Sequence, residues 1–428
     1  MAHREIHVVV VGGAWAGVTA VQELIELSHV TYPRLMITLV EQRTQYFHKT
    51  GLIRGLVDKK YADQMFIPYT RLFLDGGIAN PSHRFVCARL KRVHESYIEV
   101  TDGGRLYYDY LVLATGTEYP SLPVTQASSV EECRLMYSTM RNAVEAANKI
   151  LFVGAGAVGI GLCGEIAEVY PDKKLVVAHA RSKLLNPDLS EGFAKETERK
   201  LRQMGVEVRL GEAVIPQEPS VRSKNGSSSS SSTTSIIHYQ HQQRQWTVRP
   251  QTFATTLGEK IECDLAIWTT GSRPNTEFMT RLPASDPHRP HVEPETGRIS
   301  VRPTLQLVDP MYPNIFAIGD VNSLPLSEKY ATSAVSQAKH AVRCLRLLMD
   351  EGYDFRVKMS PEMAYDSAMA APMEAYSTNM KRQKTVVVTL GKKQKISNTL
   401  FSRFNNWAWS SKFDRRYLVD KAQKMLNY

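Results

Sequence analysis

The sequence predicts an α/β chain: two Rossmann-like units with doubly wound parallel sheets, the first interrupted by the second, and a small C-terminal α+β module. Three observations predict it. Glycine-rich loops follow apolar strands at two places, "VVVVGGAWAG" (residues 8–17) and "ILFVGAGAVGIG" (150–161). Each is answered downstream by an apolar strand that an aspartate introduces and Thr-Gly ends, "YDYLVLATGTEYP" (108–120) and "CDLAIWTTGSRPN" (263–275). The order strand, glycine loop, helix, strand, Thr-Gly strand therefore occurs twice. One such loop is a weak signal, but two with the same downstream partner are a repeated unit.

In the first unit Gly12, Gly13, Ala14, Trp15, Ala16 and Gly17 form the loop. The dinucleotide fingerprint asks for G-x-G-x-x-G, and Ala14 replaces the middle glycine. Glycines let the backbone turn tightly and approach a pyrophosphate, which then sits on the helix N-terminus where free N–H groups and the dipole favour anions. An alanine methyl at the middle position is expected to strain this site without abolishing it. Glu41 ends the next strand, "ITLVEQR", 24 residues past Gly17, where a carboxylate accepts hydrogen bonds from a ribose diol. Gln42 beside it, Arg54 in "YFHKTGLIRG" (46–55), and Ala114, Thr115 and Gly116 complete the candidate cofactor contacts of this unit.

In the second unit Gly154, Gly156 and Gly159 give the fingerprint intact, with Ala157 and Val158 between them. Ile160, Leu162, Ile166 and Ala167 then recur at helical spacing. The following strand, "KLVVAHARSK", ends without an acid. His179, Arg181 and Lys183 stand there, and a positive cluster suits a 2′-phosphate, so NADPH, or indifference between NADPH and NADH, is the expectation. Gly271 closes the Thr-Gly strand of this unit.

A third signal is "YPNIFAIGDVNSLP" (312–325), in which an apolar strand delivers Gly319 and Asp320 at its C-terminal end. A carboxylate there reaches a polyol, and Gly319 permits close backbone approach. The stretch "EKYATSAVSQAKHAVRCLRLLM" behind it has the 3.6-residue period of a helix packed on that strand.

Taken in this order, the motifs resemble the two-dinucleotide-domain FAD/NAD(P)-dependent oxidoreductases of the pyridine nucleotide-disulfide oxidoreductase superfamily. Within it they are most similar to the AIF-like, mitochondrion-associated branch that includes the ferroptosis suppressor flavoproteins, relatives of single-subunit NADH:quinone oxidoreductases. The branch-level matches are "YFHKTGLIRG", "FIPYTRLF" (66–73), "EIAEVYPDKKL" (165–175) and "TVVVTLGKK" (385–393). The resemblance implies FAD in the first unit, with Glu41 on the adenosine ribose and Asp320 on the ribityl chain. It implies NAD(P)H in the second unit as hydride donor. Lys329 and the stretch from Ala331 to Gln337 match the helix start that lies near the flavin, where Lys329 stabilises negative charge on the reduced ring. Two departures stand out: Ala14, and Gly161 where relatives carry a glutamate that helps order the nicotinamide end. In "VGIGLCGE" only the later Glu165 remains, which puts fast hydride transfer in question and leaves FAD binding untouched.

The expected organisation is a first FAD-binding part over 1–120, a nicotinamide unit over 121–275 with a disordered Ser-rich loop at 220–236, a second FAD-binding part over 276–355, and a basic, aromatic-rich module over 356–428. A chain of 428 residues exceeds one ordinary core. The five cysteines include no C-x-x-C, which excludes a disulfide relay and a zinc site and suits a reducing compartment. The fingerprint starts close to Met1 and no apolar run spans a bilayer, so a cytoplasmic protein is expected. The net charge of +10 matches residues 381–424, which hold twelve Lys and Arg against Asp414 and Asp420. There Phe401, Phe404, Trp407, Trp409 and Phe413 alternate with cations, a pattern that suits an anionic membrane surface, whether lipid droplet, mitochondrial outer face or plasma membrane, and equally the core of a small domain. No nucleic-acid motif accompanies the charge. A quinone-like small molecule is the expected acceptor; the rival readings are a low-turnover redox-sensing or cell-death signalling flavoprotein and a reductase of a small electron-carrier protein.

Overall fold

The computed structural model describes residues 5–75, 78–119, 122–125, 127–185, 187, 189–216, 246–325 and 329–351, with 387–389, 395–397 and 426. The Ser-rich segment expected at 220–236 and almost all of the expected C-terminal module lie outside the described residues.

Two parallel sheets carry the fold. The first runs Ile315–Ala317, Tyr110–Leu113, Ile6–Val11 (β1), Leu35–Glu41 (β2), His83–Cys87, each neighbour parallel. The second runs Glu207–Leu210, Lys174–His179 (β3), Lys149–Val153, Leu265–Trp268, again all parallel. Continuous runs of β-branched residues suit strands covered on both faces. In β1, Val8 and Val10 are buried with helix α1 (Trp15–Val30), while Val9 and Val11 are buried with Val93, Ile98 and Val100 on the other side. The strand Ile315–Ala317 pairs with Tyr110–Leu113, so a late segment of the chain completes the first sheet.

The two aspartates that precede the Thr-Gly strands do the same work in each unit. Asp109 Oδ2 accepts the His7 N–H at 2.8 Å; Asp264 Oδ2 accepts the Asn148 and Lys149 N–H groups at 3.0 and 2.8 Å. Each carboxylate thus satisfies backbone donors where its neighbouring first strand begins. Where the chain crosses between units, Thr117–Glu118 pairs antiparallel with Arg273–Pro274.

The segment 47–66 packs between the units. It includes the short helices α2 (Leu52–Gly55) and α3 (Lys59–Asp63). Phe47, Leu52, Leu56, Met65 and Phe66 share one core with Tyr137 and Met140 of α4 (Val130–Ala146) and Ile160 of α5 (Ala157–Val169). Helix α6 (Glu191–Gln203) covers the second sheet, and α7 (Ala331–Glu351) lies beside α1. No helix among the described residues is long and apolar enough to cross a membrane.

Candidate functional site: two nucleotide cradles and their junction

Gly12 has φ +103°, and a Cβ on it would come within 2.3 Å of the Ala114 carbonyl oxygen. A Cβ on Gly17 would meet Gly12 O at 1.7 Å. These two positions require glycine. Ala14 does not: its φ of −92° and ψ of −160° are extended backbone that any residue adopts, and it is exposed. The backbone at Ala14 is therefore unstrained. Gly13 donates its N–H to Glu41 Oε2 at 2.8 Å, while its carbonyl accepts the Tyr69 hydroxyl at 2.6 Å. Glu41 Oε1 accepts the Arg43 N–H at 3.2 Å, and the Arg43 guanidinium lies 3.6 Å away.

Helix caps separate the two nucleotide helices from α3, α4 and α6. Asp58, Ser129 and Ser190 cap α3, α4 and α6 with side-chain hydrogen bonds. Ala14 and Gly156, which start α1 and α5, offer no such bond. Two helix N-termini thus keep first-turn donors that an anion satisfies.

At the other end of the first cradle Gly319, with φ +77°, sits where a Cβ would be 3.3 Å from the Ala16 methyl. Its N–H donates to Gln337 Oε1 at 2.8 Å, and Asn322 Nδ2 donates to the same oxygen at 2.8 Å. Gln337 of α7 thereby fixes the loop that carries Asp320. Thr117 Oγ1 donates to Asp320 Oδ2 at 3.4 Å, and Arg298 donates to the Asp320 carbonyl. Lys329 reaches Gly319 O at 3.2 Å, Asn322 O at 2.7 Å and Asn322 Oδ1 at 2.5 Å. Burial, and then the Arg298 cation, lower the Lys329 ammonium to about 7, against the pull of Asp320. Lys49 donates to the Thr117 carbonyl and is also lowered by burial, with Asp320 opposing.

The residues fit FAD. The glycine turn and uncapped α1 suit the pyrophosphate, Glu41 the ribose and Asp320 the ribityl chain. Arg43 and Lys49 add two sequestered cations near Glu41, and the buried Trp15 Nε1 and Arg43 Nε have no partner among the described residues.

The second cradle repeats the geometry. Gly154 has φ +107°, its Cβ position 2.8 Å from Thr270 Cγ2, and a Cβ on Gly159 would meet Gly154 O at 2.3 Å. Gly156, Gly116 and Gly271 face open space. Ala157 and Val158 begin α5. His179, at the end of β3, is 8 % exposed, and burial followed by Arg181 pushes its imidazole below the ordinary histidine range. It stays neutral at pH 7 and adds no charge to the expected positive cluster. Its ring nitrogens lie 3.3 Å from the Ala155 N–H and 3.2 Å from Arg181 Nε; one ring N–H means each tautomer accepts only one of these. Arg181 also donates to Leu185 O at 2.9 Å, and Lys183 to the Pro187 and Leu189 carbonyls at 2.8 and 2.7 Å.

Residues 6–343 match the pyridine nucleotide-disulphide oxidoreductase family. The chain belongs to that family. It is 27% identical over 329 residues to apoptosis-inducing factor homolog B of Dictyostelium discoideum, covering 75% of this chain and 76% of that one. It is 27% identical over 328 residues to ferroptosis suppressor protein 1 of Taeniopygia guttata, covering 74% of each. Among solved structures, NDH2 of Plasmodium falciparum in complex with NADH superposes with a TM-score of 0.63 at 12% identity, covering 98% of both chains. The chain is an FAD-dependent pyridine nucleotide oxidoreductase, with FAD and NAD(P)H as its cofactors.

In this oxidoreductase Arg54, a candidate flavin contact by sequence, is joined to the nicotinamide unit. Its Nη2 lies 2.5 Å from Glu165 Oε1 on α5. From α4, Tyr137 donates to Leu52 O at 3.4 Å and Arg141 to Gly55 O at 2.9 Å. Gln42 follows β2, and its carbonyl accepts the Cys87 thiol at 3.6 Å. Sequence reasoning missed Arg43, Lys49, Tyr69 and Asn275, while Gln337 ends the stretch it placed near the flavin. Lys49 and Tyr69 sit inside "YFHKTGLIRG" and "FIPYTRLF", so those stretches held the signal.

Proposed function

We propose that this oxidoreductase passes electrons from NAD(P)H through FAD to a quinone-like acceptor. The observation that carries the reading is Lys329. Its ammonium, held on Gly319 and Asn322 beside Asp320 and lowered to about 7, keeps a movable proton and a positive charge at one end of the flavin cradle. FAD, when bound, supplies the exchange of a hydride for electrons that an acceptor takes up. The residues supply position and electrostatics. Gly12 and Gly17 shape the turn, Glu41 and Asp320 anchor the two polyol ends, and Lys329 Nζ stabilises developing negative charge. All five cysteines are free thiols, four of them buried, so the chain's own sulfur offers no relay and the acceptor enters the site itself. The resemblance to single-subunit NADH:quinone oxidoreductases supports a quinone.

Anaerobic titration of the yellow protein with NADPH and then NADH, following the visible flavin band, tests this. Bleaching by either, reversed by a soluble quinone, is the expected result. Bleaching that only a reduced-carrier protein's oxidised form reverses favours the carrier reading, and no bleaching favours the low-turnover signalling reading, for which Gly161 is the motive.

The twelve cations of 381–424, interleaved with aromatics, support a second element of the proposal: peripheral binding of an anionic membrane, where a lipid quinone resides. Liposome flotation of the full chain against one ended at Ser397 checks it; equal flotation of both rejects it.

A further inference from the structure

Position 161, in the second turn of α5, is a glycine and carries no carboxylate. One helical turn on, Glu165 lies on the same face, because residues four apart on a helix are neighbours. Its side chain is 3% exposed and its Oε1 stands 2.5 Å from the Arg54 guanidinium. Arg54 comes from the segment that follows the first cradle, Glu165 from the helix whose N-terminus is the second. The pair spans the junction between the two nucleotide units.

Its surroundings give it little slack. Helix α2, which bears Arg54, is held by Tyr137 and Arg141 through the Leu52 and Gly55 carbonyls. A Cβ on Gly55 would lie 2.9 Å from Met65 Sδ, and one on Gly51 would lie 2.6 Å from the Tyr61 hydroxyl. A buried ion pair is demanding in geometry, since either partner alone is an uncompensated charge. Such a pair favours one arrangement of the two units over neighbouring ones. The Arg54 Nε is buried with no partner among the described residues, so the guanidinium keeps a donor in hand.

We infer that Arg54 and Glu165 are a positioning pair for hydride transfer: Glu165, acting through Arg54, sets α5 against the flavin unit. The inference rests on the oxidoreductase reading above. Hydride transfer depends steeply on separation and alignment, and a displacement of about 1 Å costs on the order of 100-fold in rate. A pair that fixes the junction therefore acts on the rate of transfer more than on the affinity of either nucleotide.

The test compares wild type with Glu165→Gln, Glu165→Asp and Arg54→Lys, all loaded with FAD. Stopped-flow bleaching at rising NADPH and NADH separates the limiting rate from the apparent Kd. Glu165→Gln is expected to lower the limiting rate by about 10- to 100-fold, with the apparent Kd, the flavin content and the reoxidation of photoreduced flavin by a soluble quinone changed less than about twofold. Glu165→Asp and Arg54→Lys, which keep both charges, recover part of the rate. Hydrogen exchange without nicotinamide supplies a readout independent of turnover: amides of 52–55 and 157–169 exchange faster in Glu165→Gln. An unchanged limiting rate in Glu165→Gln overturns the inference alone. So does a parallel fall in rate, flavin content and reoxidation, which marks a purely structural role. A wild type that neither coenzyme bleaches overturns the oxidoreductase reading, and this inference with it.

Discussion

Asn275 holds Thr115 from two sides: its Nδ2 donates to the Thr115 carbonyl at 2.9 Å, and its own carbonyl accepts the Thr115 hydroxyl at 2.9 Å. Its N–H also donates to Gly116 O at 3.0 Å. The end of one unit's Thr-Gly strand is thus bound to the point where the chain returns from the other. Pro274, just before Asn275, belongs to the two-residue strand that pairs with Thr117–Glu118.

Asn275→Ala removes the side-chain donor and leaves the Thr115 carbonyl short of a partner. A loss of about 1–2 kcal/mol in stability is expected, read as a lower denaturation midpoint of the flavin-free protein. The same midpoint in wild type and variant would mean that the strand pairing alone carries the crossover.

The two glycine-loop positions predict opposite outcomes. Gly12→Ala forces a positive φ on a residue with a Cβ and drives that atom to 2.3 Å from Ala114 O, so the purified variant should lose most of its flavin. Ala14→Gly relieves no backbone strain, because Ala14 already has extended backbone and is exposed, and its flavin content should equal wild type. The absorbance ratio of flavin to protein measures both. A clear gain of flavin in Ala14→Gly would restore the view that the alanine burdens the site.

These contrasts show what the sequence carried. Gly12, Gly17, Gly154 and Gly159 were legible because their demands are local: a φ sign and one close approach. Glu41 was legible as the end of the strand that follows the first loop, and Asp320 as the acid just past a later apolar strand. The charge state of His179 was not, since the sequence shows a histidine beside an arginine and conceals the burial that keeps it neutral. The Arg54–Glu165 pair was hidden for a related reason. Its partners stand 111 residues apart, and only the packing of α2 on α5 brings them together.

Coenzyme preference follows from the same burial. With His179 neutral, attraction for a 2′-phosphate falls to Arg181 and Lys183, each already donating to a backbone carbonyl. Arg181→Ala should weaken NADPH by about tenfold relative to NADH, the scale of one charge-assisted hydrogen bond. His179→Asn, which removes no charge at pH 7, should leave the ratio within about twofold. Apparent Kd values from flavin bleaching with each coenzyme decide it, and an unaltered ratio in Arg181→Ala would remove Arg181 from the recognition of NADPH.

Lys329 predicts a pH dependence with a definite sign. Its ammonium is lowered to about 7 from an ordinary 10.5, first by burial and next by Arg298. Below about 7 the native protein carries the charge, and above it the charge is lost while an unfolded chain retains its proton until about 10.5. The folded state therefore disfavours the proton. In that interval the unfolded chain binds more protons than the native one, so this residue makes stability rise with pH. The functional consequence runs the other way. If Lys329 Nζ stabilises negative charge as a cation, flavin reduction by NAD(P)H falls as pH rises through about 7. Lys329→Met should flatten this limb and lower the plateau on its acid side by at least about tenfold. Lys329→Arg, which stays charged throughout, should keep activity well above neutral pH. A wild-type profile flat from pH 6 to 9 would remove Lys329 from the electrostatics of the reduced flavin, and the quinone proposal would lose the observation that carries it.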